Sequence, residues 1–303
     1  MRYPFWTADV FTDRAFAGNP LAVVGDASGL TTEQMQAIAH EFNLSETTFV
    51  VPPESKEQTF RLRIFTPAVE LPFAGHPTVG TAFVLAAAGR IKLQGDMTRI
   101  VFGENVGPVR VDIRAVNGRP VSSQLTAAQT PEWGPVPPDS ETLAVALGLD
   151  PTDVLDGERD HPASLSCGTP FLFVPLRSLD AVRRARINWE YWARTLNTRW
   201  TESVFLFSHE TEAADATVHA RMFAPTFGID EDPATGSAAA AFAGYLARRE
   251  KLGGGSARWV IEQGIEMGRP SRMEVEADAV QGVLTAVRVA GPSVIISEGH
   301  LLL

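Results

Sequence analysis

The sequence predicts an α+β protein of two pseudo-symmetric domains, each a curved, barrel-like β-sheet wrapped around one central buried α-helix. Three observations predict it. A block of sequence occurs twice: Arg63-Ile64-Phe65-Thr66-Pro67 followed by His76-Pro77-Thr78-Val79-Gly80-Thr81-Ala82, and Arg221-Met222-Phe223-Ala224-Pro225 followed by Asp232-Pro233-Ala234-Thr235-Gly236-Ser237-Ala238. Upstream, Glu46-Thr47-Thr48-Phe49-Val50 answers to Glu202-Ser203-Val204-Phe205-Leu206, and Gly18-Asn19-Pro20-Leu21 to Gly168-Thr169-Pro170-Phe171. Anchors in the same order at nearly constant separation indicate a duplicated unit of about half the chain, not a short-period array. The second observation is that short β-type runs dominate, several with alternating apolar and polar positions. The third is that two helical stretches are apolar or small nearly all round, Pro77 to Ala88 and the first part of Pro233 to Arg249, and a helix without a polar face is a buried helix. Strands curved around such helices make a barrel-like α+β domain, not a doubly wound one.

The elements follow in order. Ala22-Val23-Val24, Thr48 to Val51, Phe60 to Phe65 and Val109 to Ile113 are strands of the first half. Phe171 to Val174, Val204 to Phe207, Arg272 to Val275 and Val294 to Ile296 are strands of the second. Thr31 to Phe42 is a helix opened by a capping box, with Gln34 at the reciprocal position. Turn residues cluster at Asn117-Gly118-Arg119-Pro120, which places the boundary there: a first domain of residues 1–118 and a second of 119–303, the strand near 293–303 packing back on the first. Thr130 to Pro138 is a Pro-rich connector, and Gly253-Gly254-Gly255 a loop.

Composition sets the outer limits. The chain has 303 residues, 45% of them apolar and 20% charged, which suits two globular domains. A net charge of −10 argues against nucleic acid or an anionic membrane as partner. A single cysteine, Cys167, rules out a disulfide within the chain and a Cys-rich metal site. Asp9 interrupts any apolar run at the N-terminus, and no stretch is long enough to span a bilayer, so a soluble cytoplasmic protein is expected. No dinucleotide fingerprint, phosphate loop or zinc signature is present, so neither a cofactor nor a metal is expected.

The two helix starts carry the candidate chemistry. His76 lies between Gly75 and Pro77, with Pro77 read as the first helical residue. Backbone N–H groups there attract anions, and the helix field favours a neutral imidazole. Asp232 holds the matching place in the second half. It would serve as an ordinary N-cap, or as a functional group facing the first half. Glu46 follows Asn43-Leu44-Ser45 and precedes a strand, and it and its repeat partner Glu202 could both serve one structural purpose. Gly80 and Gly236 serve close packing or make room for a ligand, while Thr81 and Ser237 are buried hydroxyls or substrate contacts. Cys167, opposite Ala17 of the first half, is expected to be a small buried residue. If the domains face each other, the cleft between the helix starts is the expected site.

Taken together, Asp9-Val10-Phe11-Thr12, Phe16 to Pro20, Leu44-Ser45-Glu46-Thr47, Phe73-Ala74-Gly75-His76-Pro77-Thr78, Asp232 to Ala238, and Gln263-Gly264 with Met267 to Ser271 resemble the phenazine-biosynthesis PhzF-like family over essentially the whole chain. The resemblance implies the diaminopimelate-epimerase-like fold and a homodimer. It places the acid/base glutamate at Glu46 and its partners at His76, Asp232 and Ser237, and gives Glu202 no catalytic position. Related epimerases use two cysteines, one at each helix start. This chain has Ala74 and Pro233 in those regions, so a two-thiol mechanism is not available. The expected function is a cofactor-independent isomerase that moves a proton on a small unsaturated carboxylic acid. Glu46, His76 and Asp232 would be catalytic, with Ser45, Gly75, Gly236 and Ser237 binding the carboxylate substrate. A non-thiol epimerase or racemase of an amino or hydroxy acid, and a catalytically silent binding protein, are the alternatives.

Overall fold

The computed structural model describes residues 1–195, 200, 203–224 and 229–303; Glu202 and Pro225 lie outside them. The chain forms two compact units, Met1–Ala128 with Arg288–Leu303, and Gln129–Val287.

The first unit begins with β1 (Arg2–Val10), β2 (Asn19–Val24), α1 (Thr32–Phe42), β3 (Glu46–Val51), β4 (Phe60–Phe65), β5 (Glu70–Leu71), α2 (Gly75–Ala87), β6 (Met97–Glu104), β7 (Gly107–Val116) and β8 (Arg119–Thr126). The second holds β9 (Glu132–Trp133), α3 (Ser140–Leu147), β10 (Ala163–Ser166), β11 (Pro170–Pro175), α4 (Leu179–Arg184), α5 (Trp189–Thr195), β12 (Val204–Ser208), β13 (Val218–Ala224), β14 (Ile229–Asp232), α6 (Gly236–Arg249), β15 (Gly255–Gln263) and β16 (Ser271–Val280). β17 (Val283–Gly291) leads back to the first unit, where the chain ends in β18 (Ser293–Leu302).

Strand pairing within each unit follows one scheme. β2 runs parallel to β3, β3 antiparallel to β4, β4 antiparallel to β5 and parallel to β6, and β6 antiparallel to β7. β11 and β12, β12 and β13, β13 and β14, β13 and β15, and β15 and β16 repeat those relations in that order. In the first unit the sheet also closes. β8 pairs with Arg288–Gly291 of β17, and β1 pairs with β18. Since β17 and β18 adjoin through Pro292, whose carbonyl accepts the N–H groups of Phe11 and Thr12, the two margins of the sheet meet at one residue. A closed sheet leaves no open edge and encloses its central helix.

That helix is α2. Every residue from Gly75 to Ala86 is buried, and it lies against β1, β2, β3, β7, β8 and β18. The approach explains Gly80: a Cβ there would sit 2.5 Å from Val10 Cγ2 and 2.7 Å from Leu21 Cδ2, so the glycine serves close helix–strand packing. Helix α1 covers the other face of the sheet through Met35, Ile38 and Ala39, which pack with Tyr3, Val24, Phe49 and Phe65. Its Thr31–Gln34 capping box forms as the sequence predicts. In the second unit α6 plays the central part against β10, β11 and β16, with Phe242 stacked on Phe173 and Tyr245, tilted to Phe205 and edge-on to Phe207.

The repeated Arg-x-Phe motif is a clamp. Arg63 Nε donates to Glu70 Oε1 at 2.8 Å while its guanidinium lies 5.1 Å over the Phe65 ring. Arg221 donates to Glu231 at 2.8 Å and lies 4.8 Å over Phe223. Each clamp ties the β4–β5 or β13–β14 ladder just before a central helix begins.

Three expectations are corrected. Asn117 and Gly118 are not a domain boundary but the two-residue turn between β7 and β8, with Val116 opposite Arg119 and φ of 52° and 73°. Helix α2 starts at Gly75, so Pro77 is its third residue, not its first. Helix α6 starts at Gly236 with Thr235 at the N-cap, so Asp232 belongs to β14 and is not the N-cap residue.

Candidate active site

In the first unit the structure brings Glu46 and His76 together. Asn43, left-handed at φ 49°, ends α1, and the chain turns through half-buried Ser45 into β3, whose first residue is Glu46. Parallel pairing sets Glu46 beside Leu21, one residue beyond Pro20. His76 is the second residue of α2. Its Nε2 lies 3.1 Å from Glu46 Oε2, both side chains almost wholly buried. The approach has ion-pair distance but not hydrogen-bond alignment, a looseness common in acid/base sites before substrate closes them. Burial pushes the His76 imidazole down to about 3, a hydrogen bond to the Pro20 carbonyl offsetting only part of it. The ring is therefore neutral at neutral pH.

Both helix starts lack side-chain caps. The N-cap of α2 is Ala74, which has no group to offer; the N-cap of α6 is Thr235, which spends its hydroxyl elsewhere. The amides of Gly75 and His76, and those of Gly236 and Ser237, open their helices, where the backbone carries partial positive charge. By helix position His76 matches Ser237, and Ala74 matches Thr235. The match of His76 with Asp232 in the linear repeat, and of Pro233 with the first helix start, shifts accordingly.

Asp232 ends β14 and is 6% exposed. Thr235 Oγ1 donates to its Oδ2 at 2.5 Å. Gln263, the last residue of β15, holds the same segment: its Nε2 donates to the Asp232 carbonyl at 2.7 Å, and its Oε1 accepts the Thr235 N–H at 3.4 Å. Gly264 follows at φ +76°, and a Cβ there would lie 2.6 Å from the Pro233 carbonyl oxygen. Only glycine permits that passage. Sequence motifs flagged Gln263-Gly264 without a role; its position at a strand end facing a helix start supplies one.

Sequence reasoning missed two buried groups. Glu104 at the end of β6 sits behind the α2 start. His219 on β13, with no exposed surface, has Nδ1 at 2.8 Å from Glu262 and Nε2 at 2.8 Å from Glu266. Burial works to lower His219, but the two carboxylates outweigh it and push it up to about 9. Glu262 also accepts the N–H groups of Glu212 and Ala213, so the cluster is a charged structural pin of the second unit. These residues fall at unremarkable positions of alternating strands, and no local pattern marks them.

Cys167 is buried, and its Sγ donates to the Gln129 carbonyl at 2.9 Å. Burial, with a smaller contribution from Glu132, pushes its thiol up to about 12, which leaves it a poor nucleophile. Among the described residues no group of three His, Cys, Asp or Glu side chains is placed to hold a metal ion. No helix among them is long and apolar enough to cross a membrane.

The chain is similar to known proteins. The family described as Phenazine biosynthesis-like protein matches residues 8–299. An uncharacterized isomerase of Mesorhizobium japonicum is 41% identical over 97% of both chains. The trans-2,3-dihydro-3-hydroxyanthranilate isomerase of Pseudomonas fluorescens is 35% identical over 97% of this chain and 98% of its own. Among solved structures, a Bacillus anthracis protein of the PhzF family superposes with a TM-score of 0.89 at 27% identity, covering all of both chains. A hydroxyproline epimerase of Agrobacterium vitis, 12% identical with a TM-score of 0.68 over 99% of this chain and 91% of its own, shares the fold alone. With the family matched almost end to end and isomerases among its relatives, this chain belongs to the phenazine biosynthesis-like (PhzF) family and is one of its isomerases.

Proposed function

We propose that the chain is a metal- and cofactor-independent isomerase that shifts a proton along a small unsaturated carboxylic acid, with Glu46 as the acid/base. The observation that carries this reading is the buried approach of Glu46 Oε2 to His76 Nε2 at 3.1 Å beside an uncapped helix start. Glu46 takes a proton from a saturated carbon next to the conjugated system. The electron pair left on that carbon moves through the π-system, and the same proton returns to a distal carbon, so the double bonds shift and nothing else is gained or lost. His76, neutral with its one N–H on the Pro20 carbonyl, offers Nε2 as an acceptor to Glu46 once Glu46 carries the proton, and the family resemblance gives Asp232 a catalytic role. The Gly75 amide and the Ser45 hydroxyl hold the carboxylate, with Gly236 and Ser237 as further substrate-binding candidates; an anion at a helix start gains roughly 0.3–2 kcal/mol. The substrate named for the Pseudomonas relatives, trans-2,3-dihydro-3-hydroxyanthranilate, has this chemistry and is the first compound to assay.

A thiol-based epimerase is disfavoured by the Cys167 environment and by Ala74 and Thr235 at the helix N-caps. The common pairing scheme supports a duplicated origin for the units. The family resemblance supports a homodimer acting on a small molecule, and the net charge of −10 disfavours nucleic acid or an anionic membrane as partner.

The test is substitution. Glu46→Gln keeps shape and burial, and its expected effect is a loss of roughly 10²–10⁴-fold in kcat with the fold intact. Glu202→Gln, at the sequence repeat, is expected to change little. Equal losses from both would remove Glu46 from its catalytic role.

A further inference from the structure

A second buried carboxyl lies behind the α2 start and takes no part in the proton shift. Glu104 is 5% exposed. Its Oε1 is 2.7 Å from Thr78 Oγ1, and that hydroxyl is also 2.7 Å from the Ala74 carbonyl oxygen. A hydroxyl has one proton to donate. The Ala74 carbonyl only accepts, so Thr78 must donate there, and the proton in the other contact must come from Glu104. An ionised Glu104 would claim the Thr78 proton and leave two oxygens facing each other. The second Glu104 oxygen, also buried, has no hydrogen-bond partner among the described residues, a poor setting for a full charge.

The second unit repeats the device with a residue that cannot ionise. Gln263 closes the strand after α6 as Glu104 closes the strand after α2. Its Nε2 lies 3.2 Å from Thr235 Oγ1, which donates onward to Asp232 Oδ2 at 2.5 Å. In both units a donor at a strand end feeds a threonine hydroxyl, which feeds an acceptor just before the helix: amide to hydroxyl to carboxylate in one, carboxylic acid to hydroxyl to carbonyl in the other.

We propose that Glu104 is a positioning residue that works as a neutral acid, donating through Thr78 to the Ala74 carbonyl and so fixing the Ala74–Gly75–His76 backbone. The claim rests on the reading of the α2 start as part of the active site. The groups facing Glu104 are the Thr78 hydroxyl from α2 and the Arg61 guanidinium from β4, which donates to the Gly103 carbonyl at 2.8 Å. Asn105, beside Arg61, also reaches Glu70 on β5 at 3.4 Å. Burial outweighs the Thr78 contact and the Arg61 field and pushes Glu104 up to about 8 from its model-peptide value of 4.5. The folded state therefore holds a proton that the unfolded chain has released, and this contribution to stability falls as pH rises from about 4.5 to about 8.

The experiment compares wild type, Glu104→Gln and Glu104→Ala. Gln supplies a permanent donor, so Glu104→Gln is expected to keep kcat within about threefold at neutral pH and to remove an alkaline fall in kcat, while Glu104→Ala lowers kcat about tenfold or more. Thermal midpoints across pH supply a second arm that needs no substrate, so it decides the Glu104 claim even where the isomerase reading fails. Relative to wild type, Glu104→Gln is expected to gain stability steadily from pH 5 to pH 8. A wild-type-minus-Gln difference that is flat with pH would overturn the proposal. So would a Gln variant as impaired as the Ala variant, or an Ala variant with undiminished kcat.

Discussion

At the scale of single residues, burial decides which groups are chemically available. Glu46 and His76 share a buried corner at the start of β3 and the start of α2, shielded from bulk water. Cys167 is equally buried, and burial, with a smaller contribution from Glu132, keeps it a thiol, its Sγ donating to the Gln129 carbonyl. Cys167→Ser preserves a donor in that place and is expected to retain most activity, measured as kcat/KM on the same substrate. Inactivation without unfolding would bring covalent thiol chemistry back. Glu46, His76, Asp232 and Ser237 stood out as candidates in the sequence because each sits in a compact motif. Glu104 was not, and Gln263 was flagged by its motif without a role: each acts across a separation of more than two dozen residues, and only long-range strand pairing brings a strand end to a helix start.

At the scale of elements, the central helices were legible as buried because neither has a polar face. Their first residues were not. Pro77 suits the first position of a helix and Asp232 suits a cap, and local preference favoured both. Packing overrode it: Ala74 caps α2 without a side-chain bond, and the carbonyl it leaves is held by Thr78 instead. The His219 cluster is the clearest element-scale device, joining β13 to the end of β15 and the turn beyond. A raised folded pKa means that stability from the charged ring is complete below the unfolded value, near 6.5, and is lost as pH rises through about 9. His219→Gln is therefore expected to lower the thermal midpoint at pH 6 to 7 and to narrow the gap from wild type above pH 9. A gap that widens with pH would show that the ring is neutral in the folded chain.

For the whole molecule, the duplicated pattern of the sequence corresponds to a duplicated scheme of strand pairing, parallel pairs included. The turn at Asn117-Gly118 misled because a tight hairpin and a domain boundary use the same residues, and only long-range pairing of β7 with β8 separates them. Closure of the first sheet at Pro292 depends on a strand formed at the far end of the chain. The expectation that the strand near 293–303 packs back on the first domain agrees with the pairing of β18 with β1, whereas the pairing of β17 with β8 had no local mark.

The central claim is that Glu46 moves a proton through a conjugated system without a metal or cofactor. Its most direct test is NMR of the product formed in deuterium oxide from trans-2,3-dihydro-3-hydroxyanthranilate, using exhaustively chelated and dialysed protein. The account predicts turnover under those conditions, a product whose double bonds have shifted, and a rate roughly 10²–10⁴-fold lower for Glu46→Gln. A product that keeps the double-bond pattern of the substrate, turnover that returns only with an added metal, or an undiminished Glu46→Gln variant would contradict it.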